Sequence, residues 1–214
     1  MISQKNSIVK AVKACRNNSN CRIYTEDGEF FICSMDLVLE YGLSKGQVLD
    51  EEVLGKIENK ERIFTLKRAA FSYASYKPRT EKQIIEKLTV KKFDEDEIFL
   101  ALDFLKDFKL LDDEKFAAAF VKDYIKLKPA GKSKVLAELR RKGVSQNMAE
   151  SAVNEHYPEE NSFNLARLAA EKKLRAVSYK PIEKRKNALT SYLQRQGFSW
   201  DIIKQIIADN FDKK

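Results

Sequence analysis

The sequence has one histidine, three cysteines, four prolines and seven glycines in 214 residues, and each scarcity removes a class of fold or function. A lone imidazole leaves no second one for a His-rich metal site or a proton relay. His156, beside Tyr157 and Pro158, reads as a structural or solvent-facing residue at a helix end. Cys15, Cys21 and Cys33 are odd in number and form no CxxC pair, which fits neither a disulfide framework nor a zinc site. They are expected to be reduced thiols packed as small apolar groups. So few glycines and prolines, with 34% charged residues, favour long helices over strands and turns. The longest uninterrupted apolar run, Phe116 to Val121, is six residues, against the roughly 20 that span a bilayer. The start MISQKNSIVK has no apolar core of a signal peptide. A cytoplasmic protein without membrane contact is the expectation.

Chemistry-bearing motifs are equally sparse. GLSKG, at Gly42 to Gly46, lacks the spacing of a phosphate-binding loop and the Ser or Thr that follows its lysine. Asp112 and Asp113 precede EKFAAAFV, so they read as acids that cap a helix start and complement its dipole, in preference to a magnesium site. Thr80 with Gln83 reads as a capping box. No catalytic, cofactor-binding or metal-binding set emerges, so neither an enzyme nor a cofactor is expected.

What the chain does have is repetition and positive charge. Residues 1–62 read as a small α+β module, with 9 Lys+Arg against 10 Asp+Glu. Within it CRIYTEDGEFFIC is a β-hairpin about Asp27-Gly28, SIVKAVKAC is a third strand, and short helices cover Met35 to Tyr41 and start after Asp50. The other 152 residues hold 31 basic against 22 acidic residues, so the whole net charge of +8 arises there.

This second region repeats itself. Lys77-Pro78, Lys128-Pro129 and Lys180-Pro181 lie 51 and 52 residues apart, each near a large apolar residue, Tyr76, Leu127 or Tyr179. Each is followed by a helix-ending leucine (Leu88, Leu139, Leu193) and then a joint, TVKKFD, RRKGVS or QRQGFS. Phe93, Val144 and Phe198 plug the corner, and Asp94, Ser145 and Ser199 cap the next helix. Gly143 and Gly197 supply a positive φ, where the first unit has Lys92. Ile98, Ala101 and Leu102 answer to Ala152 and Val153, and to Ile206 and Ile207. The first helix of each unit is read as Thr65 to Tyr76, Asp113 to Leu127 and Ser162 to Tyr179. The expected fold is therefore mainly α. Tandem three-helix, helix-turn-helix-like repeats over 63–111, 112–158 and 159–214 stack into an elongated curved body.

Two basic runs fall at equivalent places in the second and third repeats. Residues 122–145 carry eight basic against two acidic residues, and residues 165–195 carry nine against two. The candidates for partner or DNA contact are Lys126, Lys128, Lys132, Lys134, Arg140, Arg141 and Lys142 in the first run. Those in the second are Lys172, Lys173, Arg175, Lys184, Arg185 and Lys186. A polyanion or an acidic protein surface fits such strips. Base-specific reading of duplex DNA does not, because the helix after each joint is poor in cations: Asp94 to Lys115 holds nine acids against three bases, QNMAESAVNEHY none, and WDIIKQIIADNF only Lys204.

YKPRTEKQIIEKL (Tyr76 to Leu88), LLDDEKFAAAFV (Leu110 to Val121), LKPAGKSKVLAELRRKGV (Leu127 to Val144) and LQRQGFSWDII (Leu193 to Ile203) resemble the RecX family, bacterial regulators of the RecA recombinase. The resemblance extends to EDGEFF and EYGLSKGQVLDEEVL in the N-terminal module, so it covers nearly the whole chain. A monomer is the expectation, with an exposed repeat end that could pair, and the resemblance implies a non-catalytic body of three-helix repeats lying in the groove of the RecA–single-stranded DNA filament. There it would limit filament extension, ATP hydrolysis, strand exchange and co-protease activity, within recombinational DNA repair and the SOS response. Gln196 departs from the second basic residue that the family often has at this joint. The basic strips are then the expected contact with the filament, including its single-stranded DNA and duplex DNA without sequence readout, and Asp94 to Asp107 would face basic recombinase surface. The alternative is a non-specific nucleic-acid-binding protein that competes for single-stranded DNA by base stacking. Against it, the aromatics read mostly as core, Trp200 included, with Tyr73, Tyr76 and Tyr124 as exceptions.

Overall fold

The computed structural model describes residues 7–16 and 19–211. They form two compact units, one of residues 7–16, 19–72 and 92–101, the other of residues 73–91 and 102–211.

The first unit contains a four-stranded antiparallel sheet of order β3-β2-β1-β4, with β1 at Ser7–Ala14, β2 at Asn20–Thr25, β3 at Phe30–Ser34 and β4 at Val48–Leu49. Side chains alternate across a strand, and Cys21, Ile23 and Thr25 of β2 accordingly share its buried face. They close a core with Val9, Cys33, Leu37, Val38, Leu43, Leu49 and Ile57, part of it from helix α1 (Met35–Glu40). The hairpin turns at Asp27-Gly28 as expected, with Gly28 at φ +88°. All three cysteines are free, and burial pushes the Cys33 thiol up to about 11, which makes it inert packing. β4 was not foreseen, because a two-residue strand has no readable period; Val48 and Leu49 pair with Ile8 and Ser7 of β1.

The short helix expected after Asp50 instead continues unbroken as α2, Glu51–Tyr76. The expected boundary at residue 62 and the expected helix start at Thr65 therefore fall inside one helix. Nothing in this stretch stops a helix: it has no proline, and Gly55 keeps a negative, helical φ among Lys, Glu, Arg, Leu and Ala. Glu61 of α2 anchors the helix on the sheet by accepting the Ser34 N–H at 2.7 Å.

The repeats are built from α3 (Glu81–Val90), α4 (Glu95–Asp107), α5 (Asp113–Leu127), α6 (Lys132–Arg141), α7 (Gln146–His156), α8 (Ser162–Ala176), α9 (Ile182–Arg195) and α10 (Trp200–Phe211). A single 3-10 turn, Glu159–Asn161, precedes α8, which ends three residues short of Tyr179. Each of the last two repeats has its own core. Ala117, Val121, Val135, Leu139, Val144, Ala149 and Val153 form one, and Ala166, Ala170, Leu189, Leu193, Phe198, Ile203 and Ile206 the other. Two of the expected caps are in place: Thr80 and Gln83 complete a capping box, and Ser145 accepts the Met148 N–H. Asp94 and Glu97 form a second box, at 2.9 and 2.8 Å.

The joint glycines have two reasons to be glycine. Gly143 and Gly197 adopt φ of +97° and +78°, as their place at a helix end predicts. They are also pressed against the start of the second helix of the preceding repeat. A Cβ on Gly143 would overlap the Lys82 side chain, lying 2.6 Å from its Cδ, and one on Gly197 would overlap the Lys134 backbone. At the first contact the Thr80 hydroxyl donates to the Lys142 carbonyl at 2.7 Å. At the second the Gly131 N–H donates to the Gln196 carbonyl at 2.8 Å, and a Cβ on Gly131 would strike Gly197. A helix-ending carbonyl that would lack a partner is thus satisfied by the neighbouring repeat.

Lys92, at the first joint, takes the same left-handed conformation, φ +64°, and its side chain is exposed. There Arg62 of α2 holds the turn: it donates to the Lys92 carbonyl at 3.3 Å, pairs with Glu97 and lies 5.6 Å from the centre of the Phe93 ring.

Gly143→Ala and Gly197→Ala are expected to cost about 2–4 kcal/mol each, from left-handed strain plus overpacking. Lys92→Gly, where only strain is relieved, should stabilise by about 1 kcal/mol. Urea denaturation midpoints check both signs; a neutral Gly197→Ala would show that the close approach is not a constraint.

Candidate partner-binding surface

Burying Val135 and Leu139 of α6, KSKVLAELRR, with Leu136 packed against the same core, turns most of its other side chains outward. The basic residues so placed are not equivalent. Glu138 accepts from Arg141 at 2.7 and 3.1 Å and lies 3.5 Å from Lys134. The Arg141 hydrogen bond holds the Glu138 carboxyl below the usual glutamate range, with a smaller contribution from Lys134. Lys132 reaches Glu159 at 3.6 Å, and the Lys142 ammonium sits 5.2 Å from the centre of the Phe120 ring. Lys128 is exposed, with its ammonium 5.9 Å from the Tyr124 ring. Lys126 and Arg140 are exposed and have no acidic partner among the described residues.

The second run divides in the same way. Arg175 lies 3.9 Å from Glu171, which Arg167 also contacts, and Lys173 lies over the Tyr192 ring at 5.6 Å. Arg185 and Lys186 are half-buried, and Arg185 Nε is buried without an acceptor. Lys172 and Lys184 are exposed and have no acidic partner among the described residues. Among the candidate cations of the described residues, each of the last two repeats therefore has one exposed without an acidic partner on its first helix, Lys126 or Lys172, and one on its second, Arg140 or Lys184.

The joints bring further cations into these groups. The contact at Gly143 sets Lys82 beside the Arg140 to Lys142 run, and the contact at Gly197 sets Lys134 near Arg195. Lys82 was missed in the sequence because its neighbours there, Glu81 and Glu86, made α3 look balanced.

Acidic residues are likewise partly committed to structure. Asp94 and Glu97 are held by their capping box and by Arg62, which leaves Glu95, Asp96, Asp103 and Asp107 exposed on α4. Asp112 caps its own helix through the Lys115 N–H, and that hydrogen bond lowers its pKa. Asp113 accepts the Glu81 N–H at 3.0 Å and so caps α3 from another repeat, while burial raises its pKa. Both carboxylates are thereby engaged in capping. Among the described residues no three His, Cys, Asp or Glu side chains lie close enough together to hold a metal ion. No helix among them is long and apolar enough to cross a membrane.

One expectation about aromatics is corrected. Trp200, read as core, is 51% exposed, with Lys204 6.0 Å from its ring. Its spacing matches Ile203 and Ile207, but it occupies the first residue of α10, where the apolar stripe runs past the end of the core.

The sequence matches three family models: RecX first three-helix domain over residues 67–105, second over 112–153 and third over 159–207. A regulatory protein RecX of Clostridium botulinum (strain Eklund 17B / Type B) is 33% identical, covering 92% of this chain and 93% of its own length. One from Clostridioides difficile (strain 630) is 30% identical, with coverages of 96% and 97%. A crystal structure of regulatory protein RecX superimposes with a TM-score of 0.69 at 25% identity, over 94% of this chain and 98% of that one.

The Glu138 hub has a pH signature. Its folded pKa is depressed, so its contribution to stability is complete above the ordinary glutamate value and is lost as pH falls through the folded value. Glu138→Gln should be less stable than the parent at pH 7 and converge on it toward pH 3. Urea midpoints across that range test this, and a constant gap would rule the hub out.

Proposed function

Because the chain belongs to the RecX family, we propose that it is a non-catalytic inhibitor of the RecA recombinase that binds in the groove of the RecA–single-stranded DNA filament. By bridging neighbouring subunits it limits filament extension, ATP hydrolysis and strand exchange. It acts as a cytoplasmic monomer, and it touches single-stranded and duplex DNA without reading sequence. The observation that carries this reading is the recurrence of unpaired cations, Lys126 and Arg140 in one repeat, Lys172 and Lys184 in the next. A body of tandem repeats holding such charges at intervals suits an extended partner bearing acidic side chains and phosphates. The exposed acids of α4 suit basic recombinase surface. Residues 1–62, 63–111, 112–158 and 159–214 remain the proposed modules, the first two sharing α2.

A second reading, competition for single-stranded DNA, gains support from the exposure of Trp200, Tyr76 and Tyr179. Stoichiometry separates the two. Recombinase ATP hydrolysis on excess single-stranded DNA should fall when the protein is present well below one copy per recombinase monomer. Competition would require enough copies to coat the DNA. Reversal to glutamate should be confined to Lys126, Arg140, Lys172 and Lys184, since altering Lys134 or Arg141 would leave Glu138 facing a like charge. The fourfold variant should keep its helicity and lose inhibitory potency by roughly tenfold or more. Undiminished inhibition would mean that these cations are only solvated.

A further inference from the structure

Repeats usually preserve inward positions, because each unit meets the same packing problem. Here an outward position is preserved as well. Tyr76 closes α2, Leu127 closes α5, and Tyr179 lies three residues past the end of α8. Each is followed directly by Lys-Pro. They are 83%, 80% and 79% exposed, and among the large apolar side chains of the described residues only Val90 and Leu39, at 80% and 74%, are comparably bare. The inward equivalents Leu88, Leu139 and Leu193 are fully buried.

A single exposed apolar residue needs no explanation. The same exposed position filled by Tyr, Leu and Tyr in successive repeats does. Among the described residues neither Tyr76 nor Leu127 has a hydrogen-bond or ring partner, and Tyr179 has only the neighbouring Lys180 ammonium, 5.7 Å from its ring. The proline of each motif fixes φ and bars helix continuation, so the apolar side chain stands on backbone with little freedom to lose on binding.

We infer that Tyr76, Leu127 and Tyr179 are three copies of one docking element. Each is received by an apolar pocket with an acidic rim on a protein that presents the same pocket on successive identical subunits. The inference rests on the filament reading and adds its contact residues. Charge complementarity comes from Lys77, Lys128 and Lys180, one beside each apolar side chain. The middle copy decides between protein and nucleic acid: leucine has no π-face to stack on a base, whereas leucine and tyrosine both fill apolar protein pockets. Three copies in one chain are useful when the partner repeats, since each further element then binds at high effective concentration.

The test uses the full-length chain, fluorescently labelled, and recombinase filaments assembled on single-stranded DNA with a non-hydrolysable ATP analogue. Tyr76→Ser, Leu127→Ser, Tyr179→Ser and the triple variant are compared by titration, and the same DNA without recombinase serves as the second probe. Exposure near 80% predicts parental helicity and thermal unfolding for all four. Each single change should weaken filament binding roughly tenfold, and the triple change by a hundredfold or more, with affinity for bare DNA unchanged. A triple variant that binds filaments like the parent overturns this inference alone. Equal losses on filament and bare DNA overturn it in favour of base stacking. A parent chain that does not bind filaments at all overturns the underlying reading and this inference with it.

Discussion

The close approach of each joint glycine to the preceding repeat is the constraint on which the order of the last two repeats depends. Gly143 packs against the Lys82 side chain, and Gly197 against the backbone of Lys134 and Gly131, with no room for a Cβ at either glycine. There the carbonyls of Lys142 and Gln196, at helix ends that leave them without an intrahelical partner, accept from a donor at the neighbouring helix start. A threonine hydroxyl and a glycine N–H solve the same problem in different ways. The position before the second helix carries a side chain at Thr80 but is held by space at Gly131, whereas the joint glycine is held by both conformation and space.

This packing also decides where charge collects. A joint ends a helix, and cations near a helix C-terminus are favoured by its dipole. Pressing the joint onto the next helix start then gathers cations from two repeats, Lys82 with Arg140 to Lys142, and Lys134 with Arg195. Such a concentration would repel itself without Glu138, which engages Arg141 and Lys134 and leaves Arg140 outward. The binding capacity of the strips therefore lies in the cations that remain unpaired, a smaller set than the total charge of the runs.

The mainly helical class, the hairpin, the helix caps and the positive φ of the joint glycines were legible because each depends on local chemistry. Asp27-Gly28 turns a chain, and Thr80 with Gln83 caps a helix, in much the same way in any protein. What was not legible depends on what stops a helix or on what meets across the fold. Nothing in residues 51–76 announces whether the chain bends at Arg62, and only the structure shows that it does not. Asp113 looked like a cap for its own helix and instead caps α3. Trp200 has the spacing of a core residue but lies where the core has ended. The candidate cations could be named from the sequence, but not sorted, because Glu138, Glu159 and Phe120 are assigned to them only by folding.

Repetition constrains a sequence in two distinguishable ways. At Leu88, Leu139 and Leu193 the equivalent residues are buried, so the recurrence is explained by packing within each repeat. At Tyr76, Leu127 and Tyr179 the equivalent residues face water, and among the described residues no packing contact shared by the three accounts for an apolar side chain there. Their chemistry gives the fold no gain in apolar burial, since that gain requires removing surface from water. A recurrence that folding does not explain is better accounted for by something outside the chain that itself recurs.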